Sequence, residues 1–234
     1  MGKLPAAGRV KTRLTPRLSP EAAAGVHALF VGHTLDRLAE LANAGVLARP
    51  VFCFDPPGEV EAAEALVAGR ADVLPQVAGD LGDRLVAAGE AVARPLLFLG
   101  CDSPDVPRAH VERAVALLAY DVVLGPCDDG GFWCLAVRPG VALSTLVRGV
   151  AWSSGRECQQ VCDNSGTGGY TVTEAPAWSD VDRPGDLAIL WARLAAAPAG
   201  SADADLRAGL DRLVPRRVLR SLRSLRPESD PAHE

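Results

Sequence analysis

Three positive charges fall within five residues near the start of the chain, in Gly8-Arg9-Val10-Lys11-Thr12-Arg13-Leu14. In an extended segment this alternation puts Arg9, Lys11 and Arg13 on one side. Gly8 supplies a flexible turn, and the helix that follows brings its positive end close. Glycine, clustered cations and a helix N-terminus suit a polyanion such as a di- or triphosphate; the competing reading is a solvated basic patch. Lys11-Thr12 looks like the end of a Walker A motif, but the G-x-x-x-x-G-K-[ST] spacing is absent and a P-loop is excluded.

Four further clusters carry carboxylates or glycines. Asp102, in Gly100-Cys101-Asp102-Ser103-Pro104-Asp105, directly follows the most apolar stretch of the chain. Mg²⁺ prefers one or two protein carboxylates completed by substrate phosphates, which is the role expected of Asp102. Asp105 is read as the cap of the next helix. Asp128 and Asp129 precede Gly130 and Gly131 in an open turn, either an ordinary hairpin turn or a substrate contact. Asp180 and Asp182 share a face if extended; Asp182 could cap the helix that Pro184 starts, or either acid could add a metal or substrate contact. Gly79 and Gly82, in Gly79-Asp80-Leu81-Gly82-Asp83-Arg84, allow close backbone approach of a ligand, unless the segment is a plain turn capped by Asp80.

These residues need a scaffold, and the pattern between them alternates strand and helix. A helix from Pro20 to about Leu41 is opened by Ser19 as cap and Pro20 at its first position. Strands are expected at 50–54, 72–77, 95–100, 121–125, 131–137 and 169–173, the second edge-like because of Pro75. The run Pro95 to Gly100 is apolar on both faces and belongs in mid-sheet. Helices are expected at 59–68, 81–92, 106–119, 153–162 and 184–196. Such alternation predicts an α/β fold with a mainly parallel central sheet flanked by helices, whose ligands bind beyond the carboxyl ends of the strands. After Ala196 the composition changes, so the chain divides into 1–196, a linker-like stretch 197–205, and an Arg-rich tail 206–234 that could form a basic helix to about Leu225, interrupted at Pro215.

Bulk properties narrow the function. The chain has 234 residues, 48% of them hydrophobic and 23% charged, enough for one large domain with a sizeable core. The net charge of −5 argues against nucleic acid as the partner. That charge is uneven: residues 1–205 hold 17 basic and 25 acidic groups, the remainder seven arginines and four acids. The six cysteines form no CxxC, and Cys158 and Cys162, one helical turn apart, are too few for a structural zinc site. Free thiols in a reducing compartment, with no signal peptide or transmembrane run, indicate a cytoplasmic protein.

In this order, Gly-Arg-Val-Lys-Thr-Arg-Leu, Gly-Asp-Leu-Gly-Asp-Arg-Leu, Gly-Cys-Asp-Ser-Pro-Asp, Gly-Pro-Cys-Asp-Asp-Gly-Gly-Phe, Ala151-Trp152-Ser153 and Asp-Val-Asp-Arg-Pro-Gly-Asp-Leu resemble one bacterial family over residues 1–195. It is the family of small GT-A-fold glycosyltransferases of the arsenosugar-biosynthesis type, or nucleotide-diphospho-sugar transferases of unassigned substrate. More distantly the chain is similar to phospholactate guanylyltransferase and the molybdenum-cofactor nucleotidyltransferases. The resemblance implies a Rossmann-like GT-A sandwich that binds a nucleotide or nucleotide sugar with Mg²⁺ or Mn²⁺. Lys3, Gly8, Arg9, Lys11 and Arg13 would grip phosphate, and Gly79, Gly82 and Arg84 would lie near the base. Asp102 and Asp182 would hold metal, and Asp129, Gly130 and Gly131 would face the sugar or acceptor. In this family the basic loop follows an apolar first strand. Here Met1 to Pro5 matches only the end of that strand and its loop, so the first strand is expected to be missing and the start to lie too late.

The function implied is metal-dependent glycosyl transfer from a nucleotide sugar to a small-molecule acceptor, with Asp128 or Asp129 as base. The nearest alternative is nucleotidyl transfer from a nucleoside triphosphate to a phosphorylated small molecule, with release of pyrophosphate. A non-catalytic nucleotide-binding protein is the alternative of another class. A homodimer is admitted but not required by the sequence.

Overall fold

The computed structural model describes residues 1–216 together with Val218 and Leu219. Seven strands and eight α-helices alternate among these residues. β1 (Gly2–Lys3), β2 (Val51–Asp55) and β3 (Asp72–Pro75) form a parallel sheet in the order β1-β2-β3, which puts the Pro75 strand at an edge as its sequence requires. β4 (Leu96–Leu99), β5 (Val122–Pro126), β6 (Phe132–Val137) and β7 (Val172–Glu174) form a second sheet in the order β4-β6-β5-β7. β6 runs against both of its neighbours, while β5 and β7 are parallel. The architecture is therefore α/β with a mainly parallel strand arrangement flanked by helices.

Gly2 and Lys3 form only a two-residue strand end, as the match of Met1 to Pro5 implied, and pair in parallel with Phe54 and Asp55. One expectation is corrected here. β4 is not in the middle of its hydrogen-bonded sheet but at its edge. Its apolar character is explained by what lies beside that edge. The amine of Met1 donates to the Leu99 carbonyl at 2.7 Å, and a Cβ on Gly2 would come within 3.0 Å of Cys101 Sγ. The end of β4 thus meets the start of β1, and the two sheets adjoin there.

Helices cover both faces. α1 (Pro20–Asn43) begins as expected, the Ser19 hydroxyl accepting from Ala22 N at 3.2 Å. α2 (Val60–Val67) and α1 pack on Phe52 and Phe54 of β2. α3 (Leu81–Ala91), a short α5 (Leu143–Leu146) and α6 (Glu157–Thr167) cover one face of the second sheet; α4 (Arg108–Ala116) covers the other. β5 shows the two-residue period directly, with Val122 and Leu124 in the first of these clusters and Val123 in the second. α6 starts four residues later than expected, because Ser153 and Gly155 take positive φ values of 63° and 73° and hold the chain in a turn.

Composition changes near residue 196; packing does not. After α7 (Pro184–Arg193), α8 (Ala202–Leu213) begins inside the stretch read as a linker, capped by Ser201. Its Leu206 and Leu210 are buried with Ala23, Val26 and Phe30 of α1 and Leu187 and Leu190 of α7. The basic helix expected beyond Pro215 falls mostly outside the described residues. Leu210 is fully buried, so Leu210→Ala is expected to cost about 2–5 kcal/mol. Denaturant unfolding checks this through a lower midpoint at unchanged m; a shift below about 0.5 kcal/mol would mean that α8 is not part of the core.

Candidate active site

The carboxyl ends of β1, β4 and β7 feed three loops that meet at one point, the side chain of Lys11. Val10 and Leu14 are buried and anchor the first loop. Between them the chain does not run extended. Lys11 takes a left-handed conformation (φ 46°, ψ 39°) and Thr12–Leu14 form a 3₁₀ turn. The expectation that Arg9, Lys11 and Arg13 point to one side is therefore corrected. Lys11 turns inward, its side chain only 4% exposed, while Arg9 and Arg13 remain at the surface.

The Lys11 ammonium lies 2.6 Å from Asp102 Oδ1 and 2.9 Å from Asp182 Oδ1, and donates to the Val181 carbonyl at 2.5 Å. Arg13 reaches the second oxygen of Asp182 at 3.0 Å. Val181 N donates to the Asp102 carbonyl at 2.8 Å, so the loops after β4 and β7 are also joined through backbone. Burial alone would lower the Lys11 pKa, but Asp102 and Asp182 outweigh it and the net shift is upward. Burial likewise works to raise Asp182, yet Lys11 and Arg13 hold it below its ordinary value. Asp180 differs: burial first, then the neighbouring charges of Asp182 and Asp129, push its carboxyl up to about 7.

The acids sort into structural and unassigned groups. Asp182 does not cap α7. Asp186 does so, accepting from the backbone N–H groups of Asp182 and Arg183 at 3.1 and 2.7 Å. Asp105 does not cap α4 either. It is buried and takes a forked pair of bonds from Arg193, at 2.7 and 3.0 Å, plus one from Trp178 Nε1 at 3.2 Å. Arg193, itself 31% exposed, stacks over Trp178 and donates to Ser179 Oγ, so its pairing with the buried Asp105 braces the segment leading to Asp180 and Asp182.

Asp128 and Asp129 are exposed in the β5–β6 turn, where Asp129 Oδ1 accepts from Gly131 N at 2.9 Å. Gly130 (φ 86°) lies so close to the next loop that a Cβ would collide with the Gly155 carbonyl. Asp80 and Asp83 form a capping box at the start of α3, and a Cβ on Gly79 would strike the Asp83 side chain. Gly82 packs beneath Trp152 and Val147. Arg84 donates to Gln76 Oε1 at 2.7 Å and approaches Asp55 at 3.9 Å. Lys3 and Gly8 are exposed at the end of β1 and in the turn that follows.

Sequence reasoning left Asp180 among its alternatives and missed Gln76, Arg193 and His27. His27 lies on α1 and hydrogen-bonds the Lys3 carbonyl through Nε2 at 2.9 Å, while its buried Nδ1 has no partner among the described residues. Nothing in the local spacing of these residues marks them, because their partners are distant in the chain.

Among the described residues no group of three or more His, Cys, Asp or Glu side chains could hold a metal ion by itself. Asp102 and Asp182 do converge on one cationic centre, and a hard divalent cation needs only one or two carboxylates when phosphate and water complete its shell. The pair fits such an ion as a half-site.

An α/β sandwich with a basic loop and paired carboxylates at the strand ends has the fold of nucleotide-diphospho-sugar transferases. A solved structure from Desulfovibrio desulfuricans G20, provisionally named as such a transferase, matches with a TM-score of 0.77 and 25% identity, covering 94% of each chain. Residues 37–154 match the family described as "Uncharacterized protein conserved in bacteria (DUF2064)", and the chain belongs to that family. No curated protein matches it. Among the described residues no helix is long and apolar enough to cross a membrane.

Two outcomes follow from the geometry. Arg193→Met strands the buried Asp105 carboxylate and is expected to destabilise by about 3 kcal/mol; a denaturant midpoint equal to that of the parent would contradict it. Burial chiefly lowers the His27 pKa from its ordinary 6.5. The unfolded chain therefore takes up this proton first, and the stability contribution, complete above pH 6.5, is lost as pH falls below it. His27→Gln should reduce the loss of stability between pH 8 and pH 5.5, and an unaltered loss would assign that dependence elsewhere.

Proposed function

We propose that this protein transfers a glycosyl group from a nucleotide sugar to a small-molecule acceptor with the help of a divalent cation. The observation that carries the reading is the convergence of the Gly8–Leu14 loop, Asp102 and Asp182 at the strand ends, in a fold matched along nearly its whole length by a provisionally named nucleotide-diphospho-sugar transferase. Arg13 beside Asp182 and the exposed Arg9 and Lys3 supply cations suited to a diphosphate, and Gly79 and Arg84 are assigned to the base, whereas Gly82 is buried and serves packing. The turn of Asp128, Asp129, Gly130 and Gly131 takes the sugar and acceptor.

Mg²⁺ or Mn²⁺ held by Asp102 and Asp182 would neutralise charge on the diphosphate. The acceptor hydroxyl oxygen bonds to the anomeric carbon as the bond from that carbon to the diphosphate oxygen breaks. The hydroxyl proton passes to Asp128 or Asp129, and the nucleoside diphosphate leaves with the electron pair. Arg9, Lys11 and Arg13 stabilise the charge gathering on it.

The test incubates the protein with nucleotide sugars, nucleoside triphosphates, an acceptor panel and Mg²⁺ or Mn²⁺, scoring nucleoside diphosphate against pyrophosphate. Diphosphate release dependent on acceptor is expected, and Asp102→Ala should lower it about 100-fold or more while the thermal transition stays cooperative. Pyrophosphate from a triphosphate would replace glycosyl by nucleotidyl transfer. Nucleotide binding with no product from any donor would make the protein a non-catalytic binder.

A further inference from the structure

Lys11 raises a question that the proposed function leaves open, because its ammonium sits at the point where the two metal-binding carboxylates converge. An ammonium has three hydrogen-bond donors. Here it donates to Asp182 Oδ1 and the Val181 carbonyl at 2.9 and 2.5 Å and is ion-paired with Asp102 Oδ1 at 2.6 Å. Almost no part of the side chain meets solvent. A divalent ion bonded to the same two carboxylate oxygens would occupy the same space and bring a second cation against the first. Lys11 and the metal are thus alternative counter-ions of one carboxylate pair.

The residue type is informative. The chain uses 22 arginines but only two lysines, Lys3 and Lys11. An ammonium on a flexible stem can leave one anion for another, whereas a guanidinium in a forked pair is held by its geometry. The left-handed backbone at Lys11 sets this stem inward, at a position where a non-glycine residue is strained.

We propose that Lys11 competes with the divalent cation for Asp102 and Asp182, so that metal binds weakly to the nucleotide-free protein and strongly only when a diphosphate receives the displaced ammonium. The inference rests on the reading of Asp102 and Asp182 as metal ligands. Its consequence is thermodynamic coupling: diphosphate raises metal affinity and, by linkage, metal raises diphosphate affinity to the same degree.

The probe is Mn²⁺ alone, added to the full chain at pH 8 without nucleotide, with free ion counted by electron paramagnetic resonance. Lys11→Met is expected to bind Mn²⁺ at least tenfold more tightly than the parent. Arg13→Met removes the same charge from the 58% exposed partner of Asp182 and should change affinity less than threefold. Adding Asp102→Asn to Lys11→Met should abolish the gain. Should Lys11→Met bind no more tightly than the parent while Asp102→Asn removes the parent's binding, competition is overturned and the metal site stands. Should the double variant bind as well as Lys11→Met, the metal lies elsewhere and both readings fall.

A second measurement avoids substitution at Lys11. With only two lysines, ¹⁵N-lysine labelling of the parent gives a side-chain spectrum with one buried ammonium. Saturating Mg²⁺ must move the Lys11 resonance or bring it into rapid exchange with water. A resonance unchanged while calorimetry shows Mg²⁺ bound overturns the proposal.

Discussion

The buried ammonium of Lys11 is the interaction around which this molecule's strand-end loops are arranged. Asp102 and Asp182 come from the ends of different strands and would repel one another at this separation. Lys11 supplies the intervening positive charge and also donates to the Val181 carbonyl. Three loops that share no local sequence are thereby fixed to one another. A buried charge left without its partner is costly, so each member of this group constrains the other two. The same requirement explains why the basic loop abandons an extended course: only the left-handed turn at Lys11 sends this cation inward while Arg13 stays outside on the far oxygen of Asp182.

The remaining acids divide the labour of positioning. Asp186 and Asp80 satisfy helix starts, and Asp105 clamps Arg193 beneath Trp178. These contacts brace the loops that carry Asp180, Asp182 and Asp102 while taking no part in the cationic centre. Asp180 is left between burial and the like charges of Asp182 and Asp129, which push its carboxyl up to about 7.

Much of this was legible in the sequence, and what was not has identifiable causes. The start of α1 could be read from Ser19 and Pro20, and the edge position of β3 from Pro75, because capping and proline act locally. Asp102 was singled out by its place after an apolar strand, and the structure sets it beside Lys11. The direction of Lys11 was not legible, since it depends on a single left-handed residue and on Asp182, far along the chain. Asp105 was misread as a cap because its real partner, Arg193, is equally remote. The boundary near residue 196 was drawn from alanine, proline and glycine content, which does not reveal that Leu206 and Leu210 pack on α1. The hairpin of Asp128 to Gly131 was visible, but the clearance Gly130 gives to Gly155 was not.

The fold and the convergence of Lys11, Asp102 and Asp182 support one central proposal, that this end of the sheet binds the diphosphate of a nucleotide together with a divalent cation. A crystal structure with Mn²⁺ and a nucleoside diphosphate, with manganese located by its anomalous signal, tests it most directly. The account predicts an anomalous peak bonded to Asp102 and Asp182, with the diphosphate contacting Lys11 and the arginines of the Gly8–Leu14 loop. A diphosphate bound elsewhere, with Lys11 still closed on both carboxylates and no manganese between them, would contradict it.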